Sequence, residues 1–347
     1  MAAKLLKRQD IMRRVIAAVL PCVAGGVYFF GWRVLAVVAL ACTVGFVCEY
    51  LFCRRRKEPV TEAVFVTAIL YALILPPNVP WHVVVIGMVF AVVMTKEVFG
   101  GFGRNFFNPA MAGRCFVYIC FPLAMTARWT TPAPGIFDAL QRWIEAGCSG
   151  GIDLAHWYGA LAQWTAATPD AISTATPMGL VKLNIAAGRA ADIPPLLQLF
   201  FGNIGGVMGA TSSMLILIGG IYLYWTKTAS RTIILSVIIT YMALNQGFAW
   251  LGVKPFVGAL PVTLGAGFLF GAFFMATDPV SAPKTEPARV LYGMLIALCT
   301  VVIRNYSIFP AGFMFSLLIA NMFAAILDYA VNAWKQRGAP ARAGAAA

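Results

Sequence analysis

Gly103-Arg104-Asn105-Phe106-Phe107-Asn108-Pro109-Ala110 interrupts an apolar sequence after its fourth hydrophobic run, and Arg304-Asn305-Tyr306 with Pro310-Ala311 repeats the pattern after the ninth. After five membrane crossings a chain stands on the far side, so a second set of five runs in the opposite sense. Its fourth span then ends on the opposite face, which is where the second copy of the pattern falls. The Pro76-Pro77 corner after the third run pairs in the same way with Asp278-Pro279 after the eighth. The spacing predicts an all-α polytopic membrane protein of about ten helices in an inverted five-plus-five repeat. Many transporters use that arrangement to place sites near the membrane midplane, between their halves.

Composition supports the membrane reading. Of the 347 residues, 61% are hydrophobic and 11% charged, and the mean hydropathy of +0.81 excludes an ordinary soluble domain. A helix crossing the hydrocarbon core needs about 20 mostly apolar residues. Ten stretches approach this: Met12 to Phe30, Val34 to Phe52, Glu62 to Leu75, Trp81 to Val98, Pro109 to Ala124, Gly205 to Trp225, Thr232 to Leu251, Phe256 to Ala276, Ala288 to Ile303 and Phe309 to Val331. The third and ninth are short, which predicts helices tilted less than the rest, or broken and buried against their neighbours. The first run lacks a small-residue processing site and is read as a span, not a cleaved signal. The expected organisation is a first membrane half over 1–125, an outer (periplasmic) loop over 126–203, a second half over 204–334 and a cytoplasmic tail over 335–347.

Charge placement orients the chain. Most of the 26 Lys and Arg residues, including Arg54-Arg55-Arg56-Lys57, Lys96, Lys227, Arg231 and Lys284, fall on one side when both termini are cytoplasmic. The net charge of +13 is then a topology signal and calls for no nucleic-acid partner. Arg114 stands inside a span. The eight cysteines lie mostly in or at the ends of spans. The pairs Cys48 with Cys53 and Cys115 with Cys120 point to different helical faces and do not match an iron–sulfur ligand run.

The outer loop contains Asp170-Ala171-Ile172-Ser173-Thr174-Ala175-Thr176, small and polar, with Pro177 discouraging a helix that would bury Thr176. It looks like a flavin attachment site. A threonine hydroxyl attacks the pyrophosphate linkage of FAD, which breaks with release of AMP and leaves FMN esterified through its phosphate. Asp170, Ser173 and Thr176 are the candidate residues, with Thr176 carrying the FMN. A Ser/Thr/Ala-rich loop also contains such a string by chance, so the rest of the chain decides the matter.

Asn105 and Asn108 are three apart and, if helical, share a face beside Phe106 and Phe107, a pairing suited to a flat heterocycle such as isoalloxazine. Alternatively either amide caps a helix whose first turn holds Pro109. Glu49, Glu62, Glu97, Asp278 and Asp328 are the ionisable candidates for an ion path, since carboxylates are costly in lipid. Each also lies near a span end, where it reaches water cheaply.

Three motifs, Gly103 to Ala110, Asp170 to Thr176 and Met275-Ala276-Thr277-Asp278-Pro279-Val280-Ser281-Ala282-Pro283, stand in the order found in the D-type membrane subunits of the Rnf ion-translocating electron-transport complexes, and the chain resembles that family over nearly its whole length. The B-type subunit of the sodium-pumping NADH:quinone reductase is similar but carries a longer N-terminal extension. The resemblance implies a multi-pass subunit of the bacterial inner (cytoplasmic) membrane. It would relay electrons between ferredoxin and NAD, coupled to sodium or proton transport, as part of a complex and not as a complete enzyme. It implies FMN covalently bound through Thr176 by a flavin transferase, and a second flavin, riboflavin, with Asn105 and Asn108 as its candidates. The other Rnf subunits and membrane lipid are the implied partners. Gly205 to Ser212 resembles the family's glycine-rich stretch, with Ala210 where an acidic residue is expected. The rival reading, a transporter or channel without redox chemistry, shares the inverted repeat and the polar breaks.

Overall fold

The computed structural model describes residues 6–126, 194–253, 255–265, 267–307 and 312–338. Among the described residues, five helices are long and apolar enough to cross a membrane: α1 (Asp10–Phe30), α2 (Arg33–Arg56), α9 (Arg231–Trp250), α12 (Glu286–Tyr306) and α13 (Gly312–Gly338). At 1.5 Å per residue, about 20 residues span the hydrocarbon core. The flanks of these helices show why they are bounded where they are. Arg54, Arg55 and Arg56 close α2, and Glu286 with a proline in the first turn opens α12.

The remaining apolar runs form shorter pieces. These are α3 (Ala63–Leu73), α4 (Trp81–Val92) with a π-helical turn over Val93–Glu97, α5 (Pro109–Cys120), α6 (Pro122–Thr126), α7 (Leu196–Phe201), α8 (Ser213–Trp225), α10 (Ala259–Leu264), and α11 (Phe268–Phe270) with a second π-helical turn over Gly271–Met275. The expected eighth span is therefore broken, at Gly265 to Gly267, where Gly267 takes φ 67°. The expected ninth is a full 21 residues, longer than its apolar core because its polar ends remain helical. Gly205 to Ser212 is irregular. Met208 and Gly209 donate their N–H groups to the Leu75 and Leu73 carbonyls at 3.0 and 2.8 Å.

Where each piece lies follows from what lipid permits. Non-helical backbone at membrane depth must be enclosed by protein, because no water is present to satisfy it. Val64, Ala68, Tyr71, Ala72 and Leu73 of α3 are fully buried, and the residues from Phe268 to Met275 are all buried. The long helices carry much exposed apolar surface, with Trp250 81% exposed at a helix end, where membrane aromatic belts form. Helix α1 packs on α8, and α5 packs on α13. At the α1–α8 contact a Cβ on Gly219 would lie 2.0 Å from the Ala18 carbonyl oxygen, so only glycine permits the approach. A two-residue parallel pair, β1 (Leu6–Lys7) with β2 (Val60–Thr61), ties the N-terminal segment to the α2–α3 connection.

Candidate functional site

The polar break after α4 is built from a change in helix pitch. The Val98 N–H donates to the Val93 carbonyl at 3.0 Å, an i to i+5 bond that inserts one residue into the turn, and this turn carries Thr95, Lys96 and Glu97. Such bulges recur at functional sites. All three side chains are buried. Gly100, Gly101 and Gly103 then reverse the chain in the left-handed region, at φ 102°, 93° and 90°. At Gly101 a side chain would also strike Arg56, its Cβ lying 2.8 Å from Nη2.

The loop returns to Asn108, which is not helical but caps α5. Its Oδ1 accepts the Met111 N–H at 3.2 Å, and Pro109 occupies the first turn, as the capping alternative expects. Its Nδ2 reaches 167 positions along the chain to the Met275 carbonyl, at 3.1 Å, and so joins the two parts of the membrane domain. Asn105 donates from Nδ2 to the Phe107 carbonyl at 3.0 Å. The two amides therefore share no helical face, but both line one pocket.

That pocket is partly open. Its apolar wall includes Met12, Val15, Leu70, Phe102, Leu223 and Phe274; its polar groups are Thr67, Lys96, Asn105, Asn108, Thr228, Thr277 and Asp278. Both π-helical turns contribute, the first through Lys96 and the second through Phe274. Asp278 folds back on its own turn, accepting from the Val280 N–H at 3.2 Å and the Ser281 hydroxyl at 2.9 Å. Burial pushes its carboxyl above the usual carboxylate range, and those hydrogen bonds oppose the shift.

The other carboxylates each have work within the fold. Glu49 Oε2 pairs with Lys96 Nζ at 2.5 Å, while its Oε1 accepts the Thr61 hydroxyl at 2.6 Å and the Thr61 N–H at 3.0 Å. Glu97 pairs with Arg56. Glu62 accepts the Gln9 N–H at 2.8 Å and the Arg13 guanidinium, holding the start of α1. Asp328 accepts the Lys284 and Thr285 N–H groups at 2.8 and 2.9 Å, which caps α12 from a separate helix. Among the described residues, no group of three or more His, Cys, Asp or Glu side chains could hold a metal ion. Asp170, Ser173 and Thr176 lie outside the described residues.

Neither the π-helical turns nor the Glu49–Lys96–Thr61 cluster was anticipated. The one available signal was a lysine inside an apolar run, which in a membrane chain marks a functional candidate. Its partner is 47 positions away and cannot be read from local spacing.

Comparison with known proteins agrees with the architecture. A profile described as the NQR2, RnfD, RnfE family matches residues 3–336. The D subunit of the ion-translocating oxidoreductase complex of Citrobacter koseri is 34% identical over 331 residues, 92% of each chain. The proteins of the same name from Escherichia coli and Shigella boydii are 33% identical, covering 92% of this chain and 91% of theirs. A match of this extent leaves no unmatched domain in the described region, and the chain belongs to the NQR2, RnfD and RnfE family of integral membrane proteins.

Proposed function

We propose that this protein is the D-type membrane subunit of an ion-translocating oxidoreductase complex and relays electrons through FMN esterified to Thr176. A second flavin, riboflavin, occupies the pocket beside Asn105 and Asn108. The observation that carries the reading is the similarity to D-type subunits along nearly the whole chain, including the segment that contains Asp170, Ser173 and Thr176. When bound, a flavin supplies the capacity to accept and release electrons one or two at a time. The residues present fit such a group: Phe102, Phe274 and Leu70 offer apolar surface, and Lys96, Asn105 and Thr277 offer groups for a polar ring edge. Asn108 contributes by fixing the pocket wall, since both ends of its amide are engaged in the fold.

The pocket lies where the two halves of the proposed inverted repeat meet. Neighbour relations support that symmetry: α2 packs on α4 and α4 on α5, as α9 packs on α12 and α12 on α13. The contacts of α1 with α8 and of α5 with α13 then each join equivalent helices across a pseudo-twofold axis. With both termini cytoplasmic in the bacterial inner membrane, the pocket opens near the inner face and Thr176 stands on the outer face. Electrons passing between the two flavins cross the bilayer, coupled to the movement of sodium or protons. The other subunits of the complex supply electron entry and exit, a flavin transferase loads Thr176, and lipid surrounds the long helices.

In-gel flavin fluorescence of the denatured chain, expressed with an active flavin transferase, tests the assignment. Wild type is expected to fluoresce and Thr176→Ala to be dark. Absence of fluorescence in both would remove the covalent relay and leave a transporter without redox chemistry as the reading of the fold.

A further inference from the structure

We propose that Lys96 is a ligand-binding residue of the pocket, and that it donates a hydrogen bond to an electron-rich carbonyl edge of a flat heteroaromatic occupant. The inference rests on the second-flavin reading above and adds the group that tunes it. Neither the motifs nor the family similarity assigns Lys96 a role.

Three observations carry it. First, an ammonium has three donors, and only two are used: Glu49 Oε2 at 2.5 Å and Thr61 Oγ1 at 3.2 Å. The third finds no acceptor among the described residues. Second, Lys96 is 2% exposed yet lines the pocket beside Asn105 and Thr277, with Nζ 5.8 Å from the centre of the Phe102 ring. The cation thus stands at the junction of an apolar face and the polar edge groups. Third, a buried ion pair is costly, and apolar residues of similar volume often serve stability as well or better. Here the pair sits on an irregular helical turn that brings it to a cavity wall, an arrangement that packing alone does not require.

The electrostatic consequence is directional. Glu49 anchors the ammonium from behind, and the first turn of α5, whose Pro109 and Ala110 also line the pocket, adds the positive end of a helix. Positive charge at the ligand's edge favours the electron-rich form, so Lys96 raises the potential of a redox occupant and tightens its reduced state. The lysine moves no proton and forms no bond in this scheme; it binds and biases.

The test uses the intact purified complex as wild type, Lys96→Met, Lys96→Arg and Glu49→Gln. Co-purification of the partner subunits reports assembly. Flavin released by acid precipitation is quantified, and the potential of the non-covalent flavin is read by spectroelectrochemical titration. Lys96→Met is expected to lose most of its releasable flavin, several-fold below wild type, and any remainder to titrate at a more negative potential. Lys96→Arg, which keeps the charge, is expected to hold flavin within about twofold of wild type, and Glu49→Gln to fall between the two. Wild-type flavin content and potential in an assembled Lys96→Met complex would overturn the assignment of Lys96 alone. A wild-type complex that releases no flavin would overturn the second-flavin reading itself, and this inference with it. Should Lys96→Met fail to assemble, Glu49→Gln decides: unchanged content and potential there refute the anchored-cation account.

Discussion

At the residue scale, the polar side chains of this membrane protein are mostly committed to holding backbone ends and to one another. Glu62 illustrates it. It precedes α3 yet binds the Gln9 N–H and the Arg13 guanidinium at the start of α1. The hydrogen bond from Arg13, followed by that from Gln9, holds its carboxyl below the usual carboxylate range. The folded state therefore favours the ionised form. Its stabilising contribution is present at neutral pH and lost as pH falls through and below the ordinary range near about 4. The interaction is at the surface and the effect is small. Thermal unfolding in detergent from pH 7 to about pH 3 is expected to show a loss of Tm in wild type that Glu62→Gln reduces. An identical acid dependence in the two would show that Glu62 does not hold α1. An amide cap by Asn105 or Asn108 was one of two readings open in advance, because Asn and Pro at the start of an apolar run are local signals, and the structure assigns it to Asn108. The donation from Asn108 to Met275 was not, since no local pattern encodes a bond across 167 positions.

At the scale of elements, long continuous helices stand beside short and broken ones. A continuous helix satisfies its own backbone, whereas irregular backbone such as Phe268 to Met275 is held where protein surrounds it. Close packing within this arrangement depends on small residues, and Gly219 in α8 is the clearest case, set directly against the Ala18 carbonyl of α1. Gly219→Val is expected to cost on the order of 3 kcal/mol by overpacking, because the obstacle is backbone and cannot move aside. The measurement is a Tm in detergent alongside the fraction of monodisperse protein, and an unchanged value would mean that the two helices separate without penalty. The broken eighth span shows where hydropathy misleads. Phe256 to Ala276 is apolar throughout, but Pro261 and the glycines at 265 and 267 divide it into α10, α11 and a π-helical turn. Mean hydropathy records burial, which this segment has, and says nothing of helical continuity.

For the whole molecule, orientation is the property with the simplest test. In the proposed topology, which the distribution of Lys and Arg favours, the α8–α9 connection stands inside and the segment after α9 outside. Lys227 and Val253 are both exposed, one in each segment. With the native cysteines blocked, a membrane-impermeant maleimide is expected to label Val253→Cys in right-side-out vesicles and Lys227→Cys only in inverted ones. The reverse pattern would invert the proposed topology and exchange the sides given to the pocket and to Thr176.

By itself the sequence determined the membrane class, the positions of most apolar runs and the family, because each depends on composition, on local spacing or on motif order along the chain. Only the tertiary structure decided that Asn105, Lys96, Asp278 and Phe274 line one pocket, that Glu49 rather than a nearer acid pairs with Lys96, and that Asp328 caps a helix other than its own. The physical reason is common to all three. A residue's preference for lipid, water or a helix end is written in its own chemistry, whereas the choice of partner for a buried charge is settled by which segments the packed helices bring within hydrogen-bonding distance.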